Sequence, residues 1–130
     1  MILGIGIDLC AVARMEKSLQ KTAFAARVFA PQEQAFWQDF SDKRRAESAA
    51  AAFAAKEAFL KAAGTGLGGF ALAELAVLHK PSGAPYFCFF GDAARFIEQN
   101  HLTAHLSLTH DGGLAAAYVI LEQNSAGTCD

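Results

Sequence analysis

The stretch Ile2-Leu3-Gly4-Ile5-Gly6-Ile7-Asp8 alternates aliphatic residues with residues that carry almost no side chain. Period-two alternation predicts a strand over residues 2–8, with Leu3, Ile5 and Ile7 on one face. The opposite face is nearly bare backbone and ends in a carboxylate. Glycine on a strand face marks close approach by another backbone or by a ligand.

The rest of the fold follows from what this strand is joined to. Residues 12–21 predict an amphipathic helix: Val12, Met15 and Leu19 share one face, and Arg14, Lys17 and Lys21 share another. Pro31 can open a helix reaching residue 39. Asp42 can cap a long helix over 42–63, and Gly64 is a natural stop. After a glycine-rich loop, residues 72–79 and 86–90 read as strands. The turn chemistry of Lys80-Pro81-Ser82-Gly83-Ala84-Pro85 joins them as a hairpin. Residues 92–99 predict a short helix. Residues 104–110 and 114–121 form a second hairpin across Asp111-Gly112-Gly113. A strand, then helices, then strands with one short helix predicts an α+β fold: a mainly antiparallel sheet packed with a long helix and shorter ones. The length of 130 residues suits one domain, residues 1–122, with a polar tail over 123–130 expected to fray.

Composition narrows the function classes. The chain is 53% hydrophobic, rich for a small monomer, which hints at an oligomer interface. A net charge of −2 argues against a nucleic-acid binder. Cys10, Cys88 and Cys129 are odd in number and far apart, giving neither a metal-ligand pair nor a disulfide framework. The opening Met1-Ile2-Leu3 carries no basic leader, Asp8 interrupts the apolar run, and no apolar run is long enough to span a membrane. These features lead us to expect a soluble cytoplasmic protein.

A second stretch, Phe53-Ala54-Ala55-Lys56-Glu57-Ala58-Phe59-Leu60-Lys61, carries chemistry. On a helix, Glu57 sits among apolar neighbours with Lys61 one turn on. The plain alternative is a surface pair at i, i+4. A buried ionised carboxylate needs a cation or a proton, and a metal meets that need. Asp8 either caps the following helix or supplies a second carboxylate. Two carboxylates suffice for Mg²⁺, which completes its shell with water and phosphate. Lys56 and Lys61 lie nearby in sequence, ready to neutralise phosphate.

Other motifs carry less. Gly64-Thr65-Gly66-Leu67-Gly68-Gly69 spells a dinucleotide-loop pattern, but it follows a helix where that motif must follow a strand. Helix termination is the simpler reading, with close approach to a ligand as the alternative. His101 and His105 have helical spacing in a segment that enters a strand, which disfavours a metal pair. His110, at a strand end, is better placed to meet a ligand. Arg14, Lys17 and Lys21 form either a solvated face or a dock for an acidic protein. Lys43-Arg44-Arg45 sets three cations against the helix macrodipole, a conflict that a bound phosphate would relieve.

Taken together, these residues resemble the holo-acyl-carrier-protein synthases, the small bacterial 4'-phosphopantetheinyl transferases. The resemblance runs from Met1 to about Glu122. It is carried by Gly4 to Asp8, by Phe53 to Ala58 with Lys61 and Gly64 to Gly66, by Gly83-Ala84-Pro85-Tyr86, and by Ser107 to His110 with Thr109 in place of serine. It implies the fold of that family and transfer of phosphopantetheine from coenzyme A to a serine of apo acyl carrier protein, with 3',5'-ADP released, in fatty acid biosynthesis. Asp8 and Glu57 would hold Mg²⁺, and Asp8, Glu57 and Lys61 would be the catalytic set. Lys56, Lys61, Gly64, Gly83, Pro85 and His110 would contact coenzyme A. Arg14, Lys17 and Lys21 would meet the carrier protein. The family is trimeric, with sites between subunits.

Two departures stand out. Ala52 replaces an arginine common in the family, so Lys43, Arg44 or Arg45 would have to compensate, and Arg45 is placed among the coenzyme A contacts. Ala84 stands where lysine is common. These losses leave open a non-catalytic module that binds coenzyme A or an acidic protein. A magnesium-dependent pyrophosphate hydrolase is a further alternative.

Overall fold

In the computed structural model, which describes residues 1–66 and 69–124, one 22-residue helix lies across a three-stranded antiparallel sheet. In chain order the elements are β1 (Ile2–Ala11), α1 (Val12–Ser18), α2 (Thr22–Val28), α3 (Pro31–Phe36) and α4 (Asp42–Ala63). A 3-10 turn (Leu72–Glu74) then leads to β2 (Leu75–His79), β3 (Pro85–Phe89), α5 (Gly91–Gln99), β4 (Leu102–Asp111) and β5 (Leu114–Gln123). The larger sheet has the order β1-β5-β4, and β2 and β3 form a separate hairpin. The α+β expectation and both hairpins agree with this architecture.

The glycines of β1 explain how the layers meet. A Cβ placed on Gly6 would lie 1.9 Å from the carbonyl oxygen of Ala58, and one on Gly4 would lie 1.9 Å from that of Ala62. The backbone approaching this strand is therefore α4. The helix permits the approach because its inward face is mostly alanine, including Ala54, Ala55, Ala58 and Ala62, all buried. The other face of β1 has no cover among the described residues: Leu3, Ile5, Ile7 and Leu9 are between 47% and 61% exposed.

Several boundaries differ from expectation. β1 runs on to Ala11 because Leu9, Cys10 and Ala11 keep pairing with Ala116, Ala115 and Leu114 of β5. Ala11 precedes α1 without a side-chain cap, so Asp8 is not a helix cap. α1 stops at Ser18, and Lys21 is the residue that precedes α2. The cations at Arg14, Lys17 and Lys21 therefore do not share one helix face. α2 was not expected: it is two turns long and shows too little periodicity to stand out. α3 ends at Phe36, short of residue 39.

Ser41, rather than Asp42, caps α4; its Oγ accepts from the Arg44 N–H at 3.2 Å. Gly64 ends that helix in the left-handed region at φ 77°, as its position foretold. Leu72 to Glu74 form a 3-10 turn before the shorter strand β2. β5 reaches Gln123 because the ends of the chain pair: the Gln123 N–H donates to the Met1 carbonyl at 2.6 Å. Asn124 donates to the His101 carbonyl at 2.8 Å, so the fraying expected from residue 123 does not begin there. Residues 125–130, with Cys129, lie outside the described residues, as do Leu67 and Gly68 of the glycine-rich loop. Among the described residues Cys10 and Cys88 are free cysteines. Among the described residues no helix is long and apolar enough to cross a membrane.

Candidate functional site

Asp8 sits on the face of β1 that meets α4, between the two glycines' register and Cys10. Its carboxylate accepts from Lys61 Nζ at 3.0 Å, and the same ammonium donates to the Ile7 carbonyl at 2.9 Å. Lys61 is therefore bound to Asp8 and not to Glu57, so the simple i, i+4 pair on α4 is absent. Glu57 lies one helical turn before Lys61 and is half-buried. Burial pushes its carboxyl above the ordinary range, the negative charge of Asp8 pushes it further, and Lys61 pulls it back. The thiol of Cys10 is raised by burial, with Arg14 lowering it and Asp8 and Glu57 raising it. Asp8, Glu57, Lys61 and Arg14 thus share one electrostatic neighbourhood at the junction of β1 and α4.

This arrangement fits a divalent cation. Two carboxylates repel each other at a partly desolvated site, and only one of them has an ion-pair partner among the described residues. A hard cation with oxygen ligands would remove the repulsion and leave most of its shell for water and phosphate. No group of three or more histidine, cysteine, aspartate or glutamate side chains forms a metal cage among the described residues. Such a site suits Mg²⁺ shared with a substrate better than a closed structural metal site.

Lys56 needs correction. It was expected to bind phosphate, but its side chain is wholly buried on a different face of α4, against Glu33. Nζ donates to Glu33 Oε1 at 2.7 Å, to the Leu72 carbonyl at 2.8 Å and to the Leu75 carbonyl at 3.0 Å. An ammonium has three protons, and all are used. Glu33 in turn accepts from the N–H groups of Ala30 and Val77 at 2.9 and 3.0 Å. Lys56 therefore ties α3, α4 and β2 together and has no proton left for a substrate. Burial lowers its pKa, with Glu33 acting in the opposite direction.

A cavity of about 440 Å³ opens beside the first turns of α4. Arg44, Glu47, Ser48 and Ala51 form its helical wall, Leu108, Thr109 and His110 its strand wall, and His79, Gly83 and Pro85 the end at the β2–β3 hairpin. The structure thus brings His110, Gly83 and Pro85 together, three residues the sequence places far apart. Gly83 adopts φ 95° in the turn, a conformation that favours glycine.

Arg45 is not in this cavity. Its guanidinium is engaged by the carbonyls of Trp37, Gln38 and Phe40 at 3.4, 3.3 and 3.1 Å and by Asp42 at 3.2 Å. It fastens the segment between α3 and α4. Arg44 is the cation that lines the cavity, stacked 3.8 Å from the Phe40 ring centroid. Ala52 is buried and leaves the cavity wall to Ala51 and Ser48. Gly64 is not among the cavity's lining residues; its place is the end of α4. His79, Glu47 and Ser48 were missed, because their role depends on three separate segments converging.

Sheet register relates the cavity to the carboxylates. Asp8 pairs with Ala117, which pairs with Leu108 of the cavity wall; two rows on, on the same face, stand Cys10, Ala115 and His110. Two strand spacings separate Asp8 from that wall, roughly 10 Å. Arg14, Lys17 and Lys21 are exposed. The arrangement sets a cation at each end, Lys61 beside Asp8 and Arg44 in the cavity, and so can hold anionic groups.

Comparison with known proteins agrees with the geometry. Residues 4–119 match the 4'-phosphopantetheinyl transferase superfamily. The chain is 48% identical over 126 residues to the holo-acyl-carrier-protein synthase of Trichlorobacter lovleyi, covering 94% of this chain and 98% of the relative. Among solved structures it resembles the Bacillus anthracis holo-acyl-carrier-protein synthase in complex with CoA (3',5'-ADP), at TM-score 0.81 and 33% identity over 95% of this chain and 99% of that one. The Neisseria meningitidis holo-acyl-carrier-protein synthase is similar at TM-score 0.82 and 30% identity, covering 95% of this chain and all (100%) of that one.

Proposed function

The chain belongs to the 4'-phosphopantetheinyl transferase superfamily, and within it to the holo-acyl-carrier-protein synthases; from that premise we infer that it transfers phosphopantetheine from coenzyme A to a serine of apo acyl carrier protein, in fatty acid biosynthesis. The serine hydroxyl attacks the β-phosphorus of coenzyme A. A new serine O–P bond forms, the diphosphate P–O bond breaks, the serine loses its proton, and 3',5'-ADP leaves.

One observation carries the reading. Asp8, Glu57 and Lys61 share one neighbourhood, and sheet register sets the wall of the Arg44–His110 cavity two strands from Asp8. Phosphoryl transfer needs positioning and charge neutralisation more than an enzyme nucleophile. Lys61 uses two of its three protons on Asp8 and Ile7, which leaves one for a phosphate oxygen. Arg44 and His110 are placed for the nucleotide, and Gly83 and Pro85 shape its end of the cavity. Asp8 and Glu57 would hold Mg²⁺, which when bound neutralises charge on the diphosphate. Arg14, beside the carboxylate end, and Lys17 and Lys21 further along the chain are exposed cations that suit an acidic carrier protein.

The uncovered face of β1 supports assembly into a homotrimer with sites between subunits. Lys61 lines a depression of about 260 Å³ together with Ile5, Gly6, Ile7 and Tyr118. A second copy seated on that face would therefore lie beside the catalytic lysine.

Intact-protein mass spectrometry of apo acyl carrier protein with this protein, coenzyme A and Mg²⁺ tests the activity. A phosphopantetheine adduct is expected, lost with EDTA and lost in Glu57→Ala while that variant stays folded. Coenzyme A binding without an adduct would point instead to a binding module. Full activity of Glu57→Ala would remove the metal assignment.

A further inference from the structure

His79 ends β2, where it pairs with Pro85 of β3. Its ring is stacked on Phe36, with centroids 4.6 Å apart and planes 11° from parallel. That contact fixes the plane of the imidazole. Nδ1 is buried and has no hydrogen-bond partner among the described residues. Nε2 makes no hydrogen bond to a described residue either, but it is not shut away, and the residue lines the 440 Å³ cavity with Arg44 and His110.

The orphaned nitrogen decides the tautomer. A proton on Nδ1 would bury a donor with no acceptor, which costs the full desolvation of an N–H. A proton on Nε2 leaves only a lone pair buried and turns the N–H towards the cavity. Burial also pushes the imidazole below its ordinary value of 6.5, so the ring is neutral near pH 7. His79 thus presents one donor of fixed direction, beside a guanidinium and a second imidazole.

We propose that Nε2–H of His79 donates to the 3'-phosphate of coenzyme A, making His79 a specificity residue that favours coenzyme A over its dephosphorylated form. The 3'-phosphate is the strongest acceptor that the nucleotide carries into this cavity, because a charged oxygen strengthens a hydrogen bond about twofold. Arg44 supplies the positive charge that such a group requires in the same cavity. The proposal rests on the coenzyme A reading given above and adds to it a residue and a discriminated group.

Titration calorimetry with coenzyme A and with 3'-dephospho-coenzyme A tests it on the intact protein. His79→Asn keeps a polar atom near the Nδ1 position and removes Nε2. It should weaken coenzyme A binding about tenfold and leave the dephosphorylated ligand unchanged. His79→Gln places an amide N–H near Nε2 and should recover most of the loss. A merely structural role would weaken both ligands alike, and that result would overturn the proposal. So would unchanged binding in His79→Asn, or a glutamine variant no better than the asparagine one. If the unaltered protein bound neither ligand, the coenzyme A reading itself would fall, and the His79 proposal with it. Binding of coenzyme A by the unaltered protein separates these two failures.

Discussion

Glu57 is the residue whose protonation reports most directly on the site. Its carboxyl is raised above its ordinary value of 4.5, first by burial and then by Asp8. A folded-state pKa above the unfolded one means that the folded protein binds the proton more tightly. The associated stability is fully present below the ordinary value and is lost as pH rises through the raised value. In EDTA, the unaltered protein should therefore lose more stability than Glu57→Gln as pH rises from 4.5 towards neutrality. Mg²⁺ at pH 7 should restore stability to the unaltered protein and do little for the variant. Urea unfolding with and without Mg²⁺ checks both statements; superimposable pH profiles would mean that Glu57 is an ordinary surface carboxylate. The sequence exposed this much, because two carboxylates in apolar surroundings need a counter-charge. It could not show that Lys61 turns to Asp8, since that contact joins positions 53 residues apart.

At the scale of elements, adjacency along the chain misled most where a helix intervened. Successive helical residues point about 100° apart. Glu57 therefore faces β1 while Lys56 faces α3 and β2, and nothing in the letters Lys-Glu marks which of the two is buried. The same limit hid the choice between Arg44 and Arg45. Elements with strong period or clear stop signals, such as β1, α4 and the two hairpins, were legible. α2 was not, because two turns give no periodicity, and the cavity was not, because it needs α4, β4 and the β2–β3 turn at once. Lys56→Met should cost about 3–5 kcal/mol, because it strands the Glu33 carboxylate in the core. Replacing Glu33 with Gln in the same chain should recover part of that loss. Urea midpoints of the single and double variants measure it. If Lys56 served phosphate and not the fold, the single variant would keep its midpoint and raise KM for coenzyme A.

For the whole molecule, the open question of energy is the uncovered sheet face. Leu3, Ile5, Ile7 and Leu9 stand on β1, Tyr118 pairs beside Ile7 on β5, and Leu114 lies at the strand's end, each more than 40% exposed. Contiguous exposed apolar surface of this kind marks an interaction site. The glycine face of β1 cannot exchange roles with it, since α4 already occupies that face at backbone contact. A second copy is the occupant we favour, because burial there would also shield Lys61, which borders the same surface. Ile7→Lys points a charge away from α4, so it should leave the monomer fold intact while opposing assembly. Analytical ultracentrifugation should find a trimer for the unaltered chain and a monomer for Ile7→Lys. Transfer activity should fall with assembly, because the carboxylate end of the site would lose the neighbour that closes it. A monomeric Ile7→Lys protein with full activity would show that each chain holds a complete site. An unaltered chain that sediments as a monomer would leave the apolar face to a different partner.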